Sequence, residues 1–548
     1  MSSEVDADAR ERRAPWLPLA VIVLAQLQMA INVSVLPVSL GPISEDLHAP
    51  ATATATALLI YSLFVAAFVM LGAKIGKLFG ERRVFQIGVV VHGVAMALMA
   101  TSTDAATMNV AQALAGIAAA ALVPTLVVLI AANYRGGQQA TALGVLAGIP
   151  AVASAFTFVV AGFLATASSW RWSYWLIVVM AVVVLALSVR LTPIAPRPGT
   201  TIDVVGVVLS ATAIALVLLG FNNLQTWGPL LASDAAPFSV LRVSPAPMLI
   251  LLGIVVGQGF FAWSHRRVAA HRPPLLAMEV LDSKEERSAV VAFLVAGSLG
   301  LAVGFVIPLY VQIVQDRTPL FSAVAILPYA GAVAVAGVAS VQLYPRVPAR
   351  RLGMVSFVLI AIGLAVVAFT VGNDWGTVAV IAGLLVVGVG EGTLLTLLFN
   401  VLVSASPKRL AGDVGALRGV ANNVSNAIGA AFASVVAVGL LSLFLTSGFA
   451  RSGLPAELEA KVLFDQVDFV SDHELARALG TTKATPTQVQ RAVAVNEDAR
   501  RKALQAALLI VAGIALLAIF PAAGLPRYVP GELSADDIVD GADAPRGP

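Results

Sequence analysis

The chain has 548 residues, of which 59% are hydrophobic and only 12% charged, about half the ~25% charge of a soluble globular protein, so a water-soluble fold is excluded. Its 34 Lys+Arg against 31 Asp+Glu leave a formal net charge of +3, but the basic residues are dispersed through the connections, which argues against nucleic acid as a partner. There is no Cys, which excludes disulfides, thiol chemistry and Cys-ligated metals, and the five His do not cluster.

A stretch of about 20 apolar residues crosses a bilayer as helix. Fourteen are predicted: 15–40, 53–72, 84–102, 106–133, 139–166, 171–190, 203–222, 246–264, 288–315, 319–344, 351–371, 377–404, 411–446 and 502–524. Arg10, Arg12 and Arg13 precede a first apolar segment too long for a cleavable signal, so it is expected to stay as a span. With the N-terminus placed in the cytoplasm, inner loops and tails hold 22 of the 34 Lys+Arg, while short outer loops hold Arg171, Arg242 and Arg317. This bias sets orientation, and an even number of spans returns the C-terminus to the cytoplasm. The expected place is a bacterial plasma (inner) membrane.

The one large hydrophilic insertion, 447–501, reads as locally helical. Pro455 suits a first turn, Ser471 with Glu474 forms a capping box, Gly480 is a stop, and Thr487 is placed to cap a helix entering the last span. It is either a connector between distant helix ends or an outer lid that docks an extracytoplasmic partner. The tails, 1–14 and 531–548, are polar and expected to be cytoplasmic.

A faint repeat joins the two halves. The gap after span 2 reads Gly72-Ala-Lys-Ile-Gly76-Lys77-Leu-Phe-Gly80-Glu81-Arg82-Arg83, and the gap after span 10 carries Arg346, Arg350 and Arg351 at the matching place. Repeated bundles around a midplane site are a transporter architecture.

Several segments together resemble the major facilitator superfamily, in its fourteen-span drug:proton antiporter branch. The loop 72–85 resembles that family's signature between spans 2 and 3, and Trp170-Arg171-Trp172 its aromatic pair at span 6. Pro308-Leu-Tyr310-Val-Gln312 with Thr318-Pro319 and Leu327-Pro328 resembles spans 9 and 10. Leu398-Phe399-Asn400 and the run from Ala411 through Asp413 and Arg418 to Asn422-Asn423 resemble spans 12 and 13 of actinobacterial members. The resemblance implies an all-α fold of two six-helix bundles, with alternating access to a central cavity. It divides the chain into an N-terminal bundle at 15–197, two extra spans at 198–270 and a C-terminal bundle at 271–530. It also implies the proton gradient as energy source, with no bound cofactor.

The departures from the family pattern are informative. Asn32 and Ser34 stand where span 1 has an acidic residue and Thr or Ser. Gln112 and Ala115 replace the span 4 Arg and Gln, and Thr157-Phe158 replaces the Gly-Pro pair of span 5. In the gating loop (Lys77, Gly80, Glu81, Arg82, Arg83) the usual Asp and Arg are Lys77 and Glu81, four apart, so a reversed helical pair is expected.

An ionisable group inside a span costs about 2.5–3.5 kcal/mol on the lenient insertion scale and by default suggests function. Glu391 is the one carboxylate deep in any predicted span, between Gly388 and Gly392. It reads as a proton carrier or the counter-ion of a cationic substrate, or else as a hydrogen-bonded filler. Arg418, Asn422 and Asn426 recur every four residues on one face of span 13. They form a substrate-binding wall, with Arg418 paired to Glu391 or Asp413, or plain interhelical packing. Asn32, with Gln26 and Gln28, puts amides on span 1; Gln112 faces the N-terminal bundle; Tyr310, Gln312 and Tyr329 fall at cavity or outer-gate positions. His92 reads as a packing residue, and Trp16, Trp170 and Trp172 as interface anchors.

No phosphate-binding loop, metal-ligand spacing or nucleophile constellation stands out, so no enzyme and no metal are expected. The expected function is secondary export of hydrophobic or amphiphilic small molecules, as in drug efflux. A lipid or lipid-precursor transporter is the second reading. A receptor or scaffold on a degenerate transporter fold is the third.

Overall fold

The computed structural model describes residues 14–48, 51–197, 199–311, 319–371, 378–406, 408–452, 475, 477, 479 and 484–527. Within them fourteen helices of 18 residues or more follow one another, and the only β pairing is in isolated bridges at Leu231, Val240 and Val243. The helices are α1 (Leu17–Val38), α2 (Ala51–Phe79), α3 (Glu81–Ala100), α4 (Ala105–Asn133), α5 (Gly136–Ala167), α6 (Arg171–Ser188) and α7 (Val204–Asn222). They continue as α8 (Pro245–Ala269), α9 (Lys284–Leu309), α10 (Pro319–Ala339), α11 (Ala349–Thr370), α12 (Val378–Ala405), α13 (Ala411–Ser452) and α14 (Pro486–Leu517). Among the described residues 13 helices are long and apolar enough to cross a membrane, and α5, 32 residues long, fills the remaining place in the series. The protein is a multi-pass membrane protein.

Local chemistry starts several helices where the chain turns. Asp104 caps α4 by accepting from Thr107 N at 2.8 Å, Asp203 caps α7, and Ser283 with Glu286 closes a capping box on α9. Pro124, Pro150 and Pro328 lie within helices. Such breaks persist in lipid because neighbouring helices satisfy the freed backbone groups.

Packing repeats with a period of eight helices. In the N-terminal half α1 packs on α5, α2 on α4, and α3 on both α4 and α6; in the C-terminal half α9 packs on α13, α10 on α12, and α11 on both α12 and α14. The halves meet through matching contacts, α2 with α13 and α5 with α10. The extra helices α7 and α8 pair with each other, and α7 leans on α2 and α13. This is the two-bundle arrangement plus two helices that the sequence predicts.

The tightest approaches between the halves gather at one end, where Lys77, Arg135, Arg346 and Arg409 lie. A Cβ on Gly415 of α13 would sit 2.9 Å from Pro124 Cα of α4, and one on Gly419 would sit 3.0 Å from Val69 of α2. On the other seam a Cβ on Gly144 of α5 would sit 2.9 Å from the Gly337 carbonyl of α10. Backbones this close leave no room for substrate between them, so the seam is shut at this end.

Two sequence expectations are corrected at the opposite end. Span 13 was expected to stop at 446 and span 14 to open at 502. Instead α13 runs 42 residues to Ser452 and α14 begins at Pro486. Hydropathy marks where lipid contact ends, whereas these helices continue because they bury a core of their own: Leu441, Leu445 and Phe449 against Leu475, Leu479, Ala492 and Ala499. The helix entry is capped by Thr485, in a box with Gln488, and not by Thr487. The expectations for Pro455, Ser471, Glu474 and Gly480 lie outside the described residues, as does that for Gln312.

Candidate transport pathway

Several deep polar groups of the N-terminal half meet one another, although Gln28 Oε1 and His92 Nε2 keep no partner. Asn32 of α1 and Gln112 of α4 exchange two amide hydrogen bonds of 3.1 Å, and both side chains are fully buried. One turn along α1, Gln28 meets His92 of α3 at 3.3 Å, and Ser34 meets Ser154 of α5 at 3.2 Å. These contacts tie helices within one bundle. Asn32, Gln112 and His92 are all fully buried in this structure.

At the shut end the two halves are joined electrostatically. Asp413, in the first turn of α13, is fully buried and accepts from Lys74 of α2 at 2.9 Å, from Lys77 of α2, and from Ala277 N at 3.3 Å. The expected pair of Lys77 with Glu81 does not form. Lys77 turns to the other half, and the buried Glu81 keeps one carboxylate oxygen without a partner. Gly80 stands between them at φ +90, a left-handed conformation that favours glycine, and a Cβ there would lie 3.0 Å from the Ile194 carbonyl. Arg82 reaches the Val189 carbonyl at 2.6 Å, while Arg83 is exposed. Arg197 completes the seal: its backbone N donates to the Lys77 carbonyl, and its guanidinium to the Arg409 carbonyl at 3.0 Å.

Glu391 lies within the C-terminal half. Tyr329 of α10 donates to Glu391 Oε2. A Cβ on Gly300 of α9 would collide with the same carboxylate, and Gly388 and Gly392 bring α12 against the Tyr329 and Val333 backbone. The carboxyl thus sits in a slot between α9, α10 and α12 and is 7% exposed. Tyr310, at the end of α9, is buried as well.

Arg418 pairs with neither Glu391 nor Asp413. Its guanidinium lies over the Phe399 ring of α12, 4.3 Å from the centroid. The expected ion pair fails because both carboxylates are already engaged. The rest of its face opens outward. Asn422 follows Gly415 by seven residues, which returns a helix to within about 20° of the same direction. Gly415 touches the other half, yet Asn422 on that line is exposed and Asn426 is partly exposed. Past the seam this line of α13 is therefore uncovered, with Asn422 exposed and Arg418 and Asn426 partly exposed, while its neighbouring face still packs through Ala427 on Ala66 of α2 and on α7.

Near the opposite end, Asp46 accepts from Trp170 Nε1 at 3.0 Å and from Arg171 at 2.7 Å. Trp170 is therefore buried against the chain that follows α1 and is no lipid anchor, unlike the exposed Trp16 and Trp172.

An eight-helix packing repeat, with the two halves held tightly together at one end, is the architecture of a two-bundle transporter. The Major Facilitator Superfamily profile matches residues 22–430, and the chain belongs to that family. Among its relatives, puromycin resistance protein pur8 of Streptomyces alboniger is 27% identical over 441 residues, covering 78% of this chain and 83% of that protein. Multidrug efflux pump LfrA of Mycolicibacterium smegmatis is 28% identical over 440 residues, covering 79% and 83%. In fold the chain is similar to the human organic anion transporter MFSD10, with TM-score 0.56 and 13% identity over 92% of this chain and 99% of that one. It is also similar to the proton:xylose symporter XylE, with TM-score 0.53 and 11% identity over 93% and 97%. The fold and family are those of transporters and not of enzymes.

Proposed function

We propose that this protein exports hydrophobic or amphiphilic small molecules across the plasma (inner) membrane by alternating access, driven by the proton gradient. The similarity to puromycin resistance and multidrug efflux proteins supports the substrate class. The observation that carries the coupling is Glu391, a lone carboxylate in a slot between α9, α10 and α12 whose hydrogen-bond partner among the described residues is the Tyr329 hydroxyl. A carboxyl enclosed by helix surface and one hydroxyl can take up and release a proton as the slot opens and closes. Rocking of α10 against α5 would expose and reseal it, because α10 carries both Tyr329 and the seam residues Ala334 and Gly337. No bound cofactor is needed.

The working units are an N-terminal bundle at 15–197, the pair of extra spans at 198–270, and a C-terminal bundle at 271–530. Both termini lie in the cytoplasm, which makes the shut seam the cytoplasmic gate and Asp413 with Lys74 and Lys77 its latch. The projecting ends of α13 and α14 would then stand outside the membrane, where their surface offers a docking place for an extracytoplasmic partner.

The test is substrate flux in proteoliposomes with and without an imposed proton gradient. Gradient-driven flux should fall at least tenfold in Glu391→Gln while downhill exchange of substrate persists. Undiminished gradient-driven flux in that variant removes Glu391 as carrier.

A further inference from the structure

We infer that a cleft opens along the Arg418, Asn422 and Asn426 face of α13 and recognises amphiphiles by an anionic head group, a carboxylate, sulfonate or phosphate received by Arg418. This rests on the reading of the protein as an exporter and adds the charge of what is exported.

The argument begins with what could neutralise Arg418. An Arg keeps its charge in any protein environment, and Arg418 is only partly exposed, so a missing counter-charge is costly. Each nearby carboxylate is already used. Glu391 is turned into its slot beneath Tyr329, and Asp413 is shared by two lysines and a backbone N–H. Across the cleft, α1, α4 and α5 carry no ionisable side chain along their whole length. On the near side α10 has only Tyr329, and the charges of α9 are confined to its first turn. Among the described residues, nothing in the cleft balances Arg418.

Its posture points the same way. With its Cζ 4.3 Å from the Phe399 centroid the guanidinium is packed on that side, and its N–H edge meets no acceptor among the described residues. That edge matches a planar or tetrahedral oxyanion with two parallel hydrogen bonds. Asn422 and Asn426 add neutral donors and acceptors along the same wall. A lipophilic cation would meet the reverse: a fixed positive charge and no exposed carboxylate.

The chemistry fits two sources, a soluble amphiphilic acid and an anionic lipid. The full-length protein in phosphatidylcholine vesicles, under a proton gradient, is given three fluorescent or radiolabelled probes. They are pyrenebutyrate, a labelled phosphatidylglycerol and tetraphenylphosphonium. Flux of at least one anionic probe is expected, reduced tenfold or more in Arg418→Gln and largely retained in Arg418→Lys; which anion moves identifies the source. The anionic probe should also raise the thermal midpoint of wild-type protein and leave that of Arg418→Gln unchanged, an effect that a purely structural arginine would not give. Flux of tetraphenylphosphonium alone, equal or faster in Arg418→Gln, overturns the inference. If that cation flux is lost in Glu391→Gln, proton-driven export stands and only the Arg418 assignment falls. Anion flux lost in Arg418→Gln but indifferent to Glu391→Gln has the opposite meaning. Flux of none of the probes overturns both.

Discussion

The two halves share a packing plan yet use polar residues in opposite ways. In the N-terminal half the deepest amides meet side chains of their own bundle: Asn32 and Gln112 satisfy each other, and Gln28 meets His92. In the C-terminal half the deep groups are ionisable or open: Glu391 answered by one hydroxyl, Arg418 by an aromatic face, Asn422 by none. A polar pair that closes on itself holds helices together. A group whose demand is only partly met inside the protein is available to something that comes and goes. The same residue types thus act as mortar in one half and as working surface in the other.

The sharpest way to break this contrast is at the bond between the halves. Asp413→Asn leaves Lys74 and Lys77 facing each other without an anion, and removing one partner of a buried pair costs about 3–5 kcal/mol. A lowered thermal midpoint is expected. Because the chain has no Cys, a single Val123→Cys label at the seam should also react faster in that background. Unchanged labelling would mean that glycine packing alone keeps the seam shut.

Next comes Gly392→Val, which drives a side chain into the Val333 backbone. Overpacking of this kind costs about 1–3 kcal/mol, and the loss should appear as a weaker monodisperse peak in detergent. A smaller and more telling effect is expected at the amide pair. Asn32→Leu strands a buried Gln112 amide, a penalty of about 1–3 kcal/mol, while Asn32→Leu with Gln112→Leu should be nearly neutral. Flux through the double variant should match wild type; a dead double variant would show that the N-terminal half also touches substrate. Least disruptive to the fold is Asn422→Ala, within about 0.5 kcal/mol of wild type in stability. It should nevertheless change the apparent affinity for substrate.

Hydropathy made the spans legible because lipid contact demands continuous apolar helix, and the basic turn after span 2 marked the latch region. What sequence could not show was partner choice. Lys77 and Glu81 are ideal neighbours by spacing, but Lys77 lies beside Asp413, 336 residues away, and a fully buried carboxylate outcompetes a local one. Arg418 looked like the mate of Glu391 because both are rare charges in adjacent spans. Only the fold reveals that Tyr329 and Gly300 enclose Glu391 on another side of α12. The amide pair could have been found by asking which deep amides lack a charged residue nearby. Trp170 was misread because an aromatic at a span boundary has the same sequence signature whether it faces lipid or caps a neighbouring turn.

The length of α13 has a mechanical consequence. As a straight rod of 42 residues it measures about 63 Å, roughly twice the hydrocarbon thickness. It is pinned along its length where Gly429 abuts the Ser298 backbone of α9, too close to admit a Cβ. From that fulcrum the latch at Asp413 is about 24 Å away and the far tip about 35 Å. Any tilt about the pin swings the two ends in opposite senses, the tip travelling some 1.4 times as far. Movement at the seam is thereby written, enlarged and inverted, on the other side of the bilayer.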